Sequence, residues 1–162
     1  MEKVLILTGS KSDEEIAKQV MDVLNVFGVP YKYEVASAHR NPEKVDKLVK
    51  ETTAQVMVAI AGMSAALPGV VAARTTKPVI GVPVNATLNG LDSLLSVAQM
   101  PPNVPVACVG IGMGKNAGVL AVQILALSDS TLATRLSEFK EKLKQRERCS
   151  RTETYLYMFI YI

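Results

Sequence analysis

The chain has no tryptophan, a single histidine and two cysteines, and aromatic residues make up only 5% of it. Each scarcity closes a class of function. One imidazole and two scattered thiols, Cys108 and Cys149, cannot assemble a structural metal centre, and there is no C-x-x-C pair. Cys108 sits in an apolar run and Cys149 in a charged one, so both read as free thiols of a reducing compartment. No apolar stretch lasts long enough to span a bilayer, so no membrane association is expected. The opening MEKVLILTGSKSD is too briefly apolar for a secretory leader and has no small-residue cleavage site behind it, so a cytoplasmic location is expected. The net charge of +3 is modest and local. Seven basic and four acidic residues between Arg135 and Glu153 account for all of it, and the body is neutral. A basic face interleaved with aromatics, the usual mark of a nucleic-acid binder, is missing.

What is present is a regular alternation. Hydrophobic residues are 49% of the 162 and charged residues 20%, enough for one globular domain with a sizeable core. Short continuous apolar runs read as buried strands: Val4–Gly9, Tyr31–Ala36, Val56–Gly62, Pro78–Val84 and Val104–Gly110. Helical patterns lie between them. Ile16, Val20, Val23, Leu24 and Phe27 recur at helical spacing, with Ser12 and Glu15 in capping-box positions and Gly28 and Pro30 as the stop. Asn41-Pro42 opens the next helix, whose face is Val45, Leu48, Val49 and Thr52. A small-residue helix through Val71 and Ala73, a short one over Leu91–Val97, and longer ones over Lys115–Leu127 and Ser130 to about Arg148 follow. Leu132, Leu136, Phe139 and Leu143 share one side of the last.

Repeated strand-helix units with continuous apolar strands predict a parallel sheet covered on both faces. Five strands fit the flavodoxin-like order 2-1-3-4-5, a three-layer α/β sandwich with an added C-terminal helix. Residues 1–148 are expected to be one domain and residues 149–162 an atypical apolar tail. The tail ends in YLYMFIYI, which holds half of the aromatics of the chain, Tyr155, Tyr157, Phe159 and Tyr161. Such a patch marks a contact surface, and packing on another subunit is expected.

In a doubly wound sheet ligands bind outside the carboxyl ends of the strands, where the order reverses. Three loops lie there: Gly9-Ser10-Lys11-Ser12-Asp13, Ser37-Ala38-His39-Arg40, and Ala61 to Gly69, which includes Gly62, Met63, Ser64 and Leu67. All are built of small residues and lead into helices, so their N–H groups suit an anion. Ser10 and Ser12 can donate to a phosphate or sugar, Asp13 can accept from a ribose hydroxyl, and Arg40 can pair with a phosphate. The only histidine, His39, falls in the second loop, which argues against a mere packing role. A second glycine cluster, Gly110 to Gly118, misses the dinucleotide fingerprint at Lys115 and the Walker A pattern at Asn116. It reads as a tight strand-to-helix turn.

Taken together, GSKSD, VASAHRNP, the LPG of AGMSAALPG, TTKPVIGVPV, LNGLDSLLSVAQMPPNVPVA and KNAGVLAVQILAL resemble the PurE family of purine biosynthesis, from about Val4 to about Leu143. The resemblance implies a flavodoxin-like, commonly octameric enzyme that needs no metal or nucleotide cofactor. Its substrates would be a small ribonucleotide and carbon dioxide. The implied reaction moves the carboxylate of N5-carboxyaminoimidazole ribonucleotide to ring carbon 4, or, in a second branch, carboxylates aminoimidazole ribonucleotide directly. It assigns Ser10 and Asp13 to the phosphate-and-ribose loop, Arg40 to the phosphate and His39 to general acid/base work. Where mutases of the family read G-G-A-A-H-L-P-G, this chain reads Gly62-Met63-Ser64-Ala65-Ala66-Leu67-Pro68-Gly69, so Ala66 replaces a second histidine. Ser64, Ala66 and Leu67 lean to the direct carboxylases and Pro68 to the mutases, which leaves the carboxyl donor open. Two readings of other kinds stand beside this one: a non-catalytic nucleotide- or flavin-binding module on the same fold, and a carboxylase acting on a pyridine nucleotide.

Overall fold

The computed structural model describes the backbone of residues 1–160 and the side chains of residues 1–145. In chain order the elements are β1 (Val4–Thr8), α1 (Glu14–Val26), β2 (Tyr31–Val35), α2 (Pro42–Glu51), β3 (Val56–Gly62), α3 (Leu67–Ala72), β4 (Val79–Val84), α4 (Leu91–Ala98), β5 (Ala107–Cys108), α5 (Gly114–Ala126) and α6 (Ser130–Ile160). The strands form one parallel sheet in the order β2-β1-β3-β4-β5. This is the expected flavodoxin-like order.

The pleat divides the apolar strand residues between two cores. Val4, Ile6, Val56, Val58, Ile60, Ile80 and Val82 point to the side covered by α1, α5 and α6. Leu5, Leu7, Met57, Ala59, Ala61 and Val79 point to the side where α2, α3 and α4 supply Val45, Val49, Leu67, Val71 and Val97. Strands buried on both faces have no polar alternation to show, which is why they read as unbroken apolar runs. The layers are therefore helices, sheet, helices.

Local chemistry sets the element ends. The Asn41 side chain accepts from Lys44 N at 3.1 Å and Pro42 occupies the first turn of α2, as expected of Asn-Pro. Gly28, at φ +64°, lets the chain leave α1. The predicted capping box of Ser12 and Glu15 does not form. Ser10 instead caps a 3-10 turn over Lys11–Asp13, accepting from Ser12 N at 3.3 Å, and α1 starts after it. The cap has moved two residues upstream, and the Ser12 hydroxyl turns to Asp13 Oδ1 instead.

Three further expectations are corrected. The fifth strand was expected over Val104–Gly110, yet only Ala107–Cys108 pairs with β4. It is the sheet edge, and Pro105 has no N–H to give a ladder. The last helix runs to Ile160 rather than ending near Arg148. On it Leu132 and Leu136 are buried and Phe139 meets Phe27 edge-on at 5.4 Å, whereas Leu143 is exposed, because the core that α6 packs into ends at Phe139. The expected contact surface of the tail rests on side chains outside the described residues, as does Cys149. Cys108 is a half-buried free thiol whose pKa burial raises.

The Gly110–Gly118 cluster is explained by packing. A Cβ on Gly114 would lie 2.4 Å from the Ile16 carbonyl oxygen, and one on Gly118 would lie 2.8 Å from the Val23 Cβ. These two glycines let α5 press against α1, and neither lines the cleft described next.

Candidate active site

At the carboxyl ends of β1, β2 and β3 the three loops named above close around a cleft of about 480 Å³. Its wall contains Ser10, Ser12, Asp13, Ser37, Ala38, His39, Arg40, Gly62, Met63, Ser64 and Leu67. Every residue picked out in the sequence as a site candidate is thus brought to one place. The cleft also touches Gly9, Ala61, Ala65, Ala66 and Ala86. Ala86 was missed. It follows β4, and applying the strand-end rule to the fourth strand as well as to the switch point would have found it.

The first loop is held by its own turn. Asp13 N donates to the Ser10 carbonyl at 3.3 Å, and the Ser12 hydroxyl donates to Asp13 Oδ1 at 3.1 Å. The Asp13 side chain is buried, and burial is the main reason its carboxyl pKa lies above the ordinary value. The Ser12 bond, the Ser10 backbone and the Arg40 charge pull the other way. A desolvated carboxylate with one oxygen already engaged is suited to accept one or two hydroxyl protons from a bound sugar.

The second loop is a single closed turn. Asn41 N donates to the Ser37 carbonyl at 3.0 Å and Arg40 N to the Ser37 hydroxyl at 3.3 Å. Arg40 then reaches across, its Nη2 donating to the Gly9 carbonyl at 2.8 Å. This ties the second loop to the first and leaves most of the guanidinium donors free for an anion. His39 stands exposed on the turn, facing the cleft.

The third loop turns tightly. Ala65 N donates to the Met63 carbonyl at 2.8 Å and Ala66 N to the Ser64 carbonyl at 2.5 Å. Those two N–H groups are used locally, while the N–H groups of Met63 and Ser64 have no acceptor among the described residues. Met63 takes a left-handed backbone, φ +56°. Among the residues lining the cleft only Asp13, His39 and Arg40 carry titratable side chains. The remainder are serines and small or apolar residues. Such a wall can take an anion at Arg40, a diol at Asp13, and a small neutral molecule against alanine and glycine, with one imidazole to move protons.

Comparison with known proteins now decides the family. The profile of the AIR carboxylase family matches residues 3–146. The chain belongs to the AIR carboxylase family. It is 54% identical over 143 residues to the N5-carboxyaminoimidazole ribonucleotide mutase of Methanocaldococcus jannaschii, covering 88% of this chain and 91% of that one. The mutase of Bacillus subtilis is 49% identical, covering 86% and 90%. A chloroplastic phosphoribosylaminoimidazole carboxylase of Vigna aconitifolia is 45% identical over 86% of this chain, which corresponds to 26% of that longer protein. The crystal structure of Treponema denticola PurE superposes with a TM-score of 0.81 at 28% identity, covering 93% of this chain and 96% of that one. As a member of the AIR carboxylase family, the chain is an enzyme of purine biosynthesis. Ala66, half-buried in the cleft wall, has no proton to give.

Proposed function

We propose that this enzyme converts N5-carboxyaminoimidazole ribonucleotide to 4-carboxyaminoimidazole ribonucleotide without ATP, with His39 as its general acid and base. The observation that carries the reading is the convergence of the GSKSD, SAHR and Gly62–Leu67 loops on one cleft whose only imidazole is His39. The mutase names of relatives at 54% and 49% identity support the same reaction.

The chemistry follows from the groups present. Arg40 and the serines of the first loop hold the phosphate, with Ser37 and Ala38 supporting the turn, and Asp13 accepts from the ribose. Protonated His39 gives its proton to the carboxylated exocyclic nitrogen. The N–C bond breaks, its electron pair stays on nitrogen, and carbon dioxide is released into the cleft. Gly62, Met63, Ser64 and Leu67 hold it, the free N–H groups of Met63 and Ser64 facing its oxygens. Ring carbon 4 attacks it, forming the new C–C bond. Neutral His39 then removes the proton from carbon 4, which restores the aromatic ring and the imidazolium. The acid and base steps are consecutive, so one histidine serves both. The cycle consumes no cofactor.

Direct carboxylation of aminoimidazole ribonucleotide remains a second reading, favoured by Ala66 and by the carboxylase relative. A cytoplasmic, homo-oligomeric enzyme, octameric by resemblance to the PurE family, completes the proposal. No described helix is long and apolar enough to cross a membrane. An ATP-free assay separates the readings. One sample holds N5-carboxyaminoimidazole ribonucleotide, and the other aminoimidazole ribonucleotide with bicarbonate. Fast formation of the 4-carboxylated product in the first, with the second needing very high bicarbonate, supports the mutase. Efficient turnover of the second alone makes the chain a direct carboxylase and the Met63–Ala66 stretch the place where the two activities part.

A further inference from the structure

The connection that carries His39 spans Ala36 to Asn41, between the end of β2 and the start of α2. One residue outside it is bonded to both of its flanks. Lys44, in the first turn of α2, donates through its backbone N to Asn41 Oδ1 at 3.1 Å, on the far side of the connection. Its side-chain Nζ folds back to the near side, donating to the Val35 carbonyl at 2.8 Å and pairing with Glu34 Oε2 at 3.0 Å. Lys44 thus bridges the two ends of the loop from below, fixing the separation of strand end and helix start.

The distribution of the other bonds says which catalytic group depends on this brace. Arg40 has its own tether, the bond from Nη2 to the Gly9 carbonyl. The His39 side chain has no hydrogen-bond partner among the described residues, so no bond of its own holds the imidazole against a shift of the turn. The ammonium of Lys44 is itself partly exposed, its side chain at 39% of full accessibility. An exposed ion pair contributes little to global stability. A geometric role is therefore separable here from a structural one, and a small misplacement of a reacting group can cost as much as about a hundredfold in rate.

We infer that Lys44 is a positioning residue for His39, its ammonium tying the end of β2, at the Val35 carbonyl and Glu34, to the first turn of α2. The inference rests on the reading of His39 as the acid and base. It is tested with full-length Lys44→Met, which keeps the apolar stem but loses the ammonium, beside Lys44→Arg and His39→Asn. For Lys44→Met the expected result is a kcat lowered about tenfold with KM within about threefold, since Arg40 keeps its own anchor. Its thermal midpoint stays near that of the parent. Lys44→Arg, whose guanidinium can still reach a carbonyl and a carboxylate, recovers most of the rate. Because His39 is the only histidine, its imidazole C–H signals in a proton NMR spectrum report it alone, and they broaden or divide in Lys44→Met. An unchanged kcat in Lys44→Met overturns the inference. So does a fall in kcat matched by a fall in stability, because Lys44 would then be merely structural. Full turnover by His39→Asn would instead overturn the reading beneath it, whatever Lys44 does.

Discussion

Met63 shows how much one residue can conceal in sequence. Its backbone takes the left-handed conformation that glycine would favour, φ +56°. For a residue with a Cβ this conformation costs about 1–2 kcal/mol. The residue is 58% exposed, so little burial offsets the cost. Met63→Gly recovers the strain but loosens the unfolded chain by about 0.5–1 kcal/mol. The net expectation is a gain of about 0.5–1 kcal/mol, read as a higher urea midpoint with an unchanged slope. A lower midpoint would mean that the Met63 side chain makes contacts that outweigh its backbone strain. His39, Arg40 and Asp13 were legible because chemistry names them: one imidazole, one arginine beside it, one acid in a serine-rich turn. Ala86 was not, because an alanine in a pocket wall has no functional group to announce it.

At the scale of the elements, the strands and helices were legible wherever apolar periodicity was long, as in α1 and α5. Two kinds of error arose where local bonding overrode pattern. Ser12 and Glu15 have capping-box spacing, but the 3-10 turn capped by Ser10 took the helix start. The run from Val104 to Gly110 is apolar enough for a strand, but an edge position and Pro105 reduced it to Ala107–Cys108. Gly114 and Gly118 look like half of a nucleotide fingerprint, yet their role is the close approach of α5 to α1. The outer side of α4 also carries a pattern that the core does not use. Leu91 and Leu95 are 53% and 44% exposed, with Leu88 just before them at 76%. An exposed apolar stripe of this kind is where a contact between copies is expected, if the enzyme is the oligomer proposed above. Leu91→Lys with Leu95→Lys is expected to shift the sedimentation profile towards smaller species while leaving the far-ultraviolet circular dichroism unchanged. An unaltered profile would put the subunit contact elsewhere, and a parent protein that sediments only as a monomer at micromolar concentration would contradict the oligomer.

At the scale of the whole molecule, the parallel order β2-β1-β3-β4-β5 is what makes a cleft from three loops far apart in the chain. Strand order was readable because doubly buried parallel strands and intervening helices leave few topologies. The switch point then dictated where to look, before any side chain was placed. The neutral body, with its surplus charge confined to α6, leaves the cleft with one guanidinium, one buried carboxylate and one imidazole. In the proposed mechanism that set suffices: a carboxylate moves between two atoms of one substrate, and His39 handles both protons. The most direct test is turnover of N5-carboxyaminoimidazole ribonucleotide by His39→Asn against the parent, without ATP, together with binding of the ribonucleotide to each. The expected result is a loss of kcat of about 10²–10⁴-fold with binding retained, the range of a missing general acid and base. Turnover close to that of the parent, in a folded variant that still binds, would contradict it.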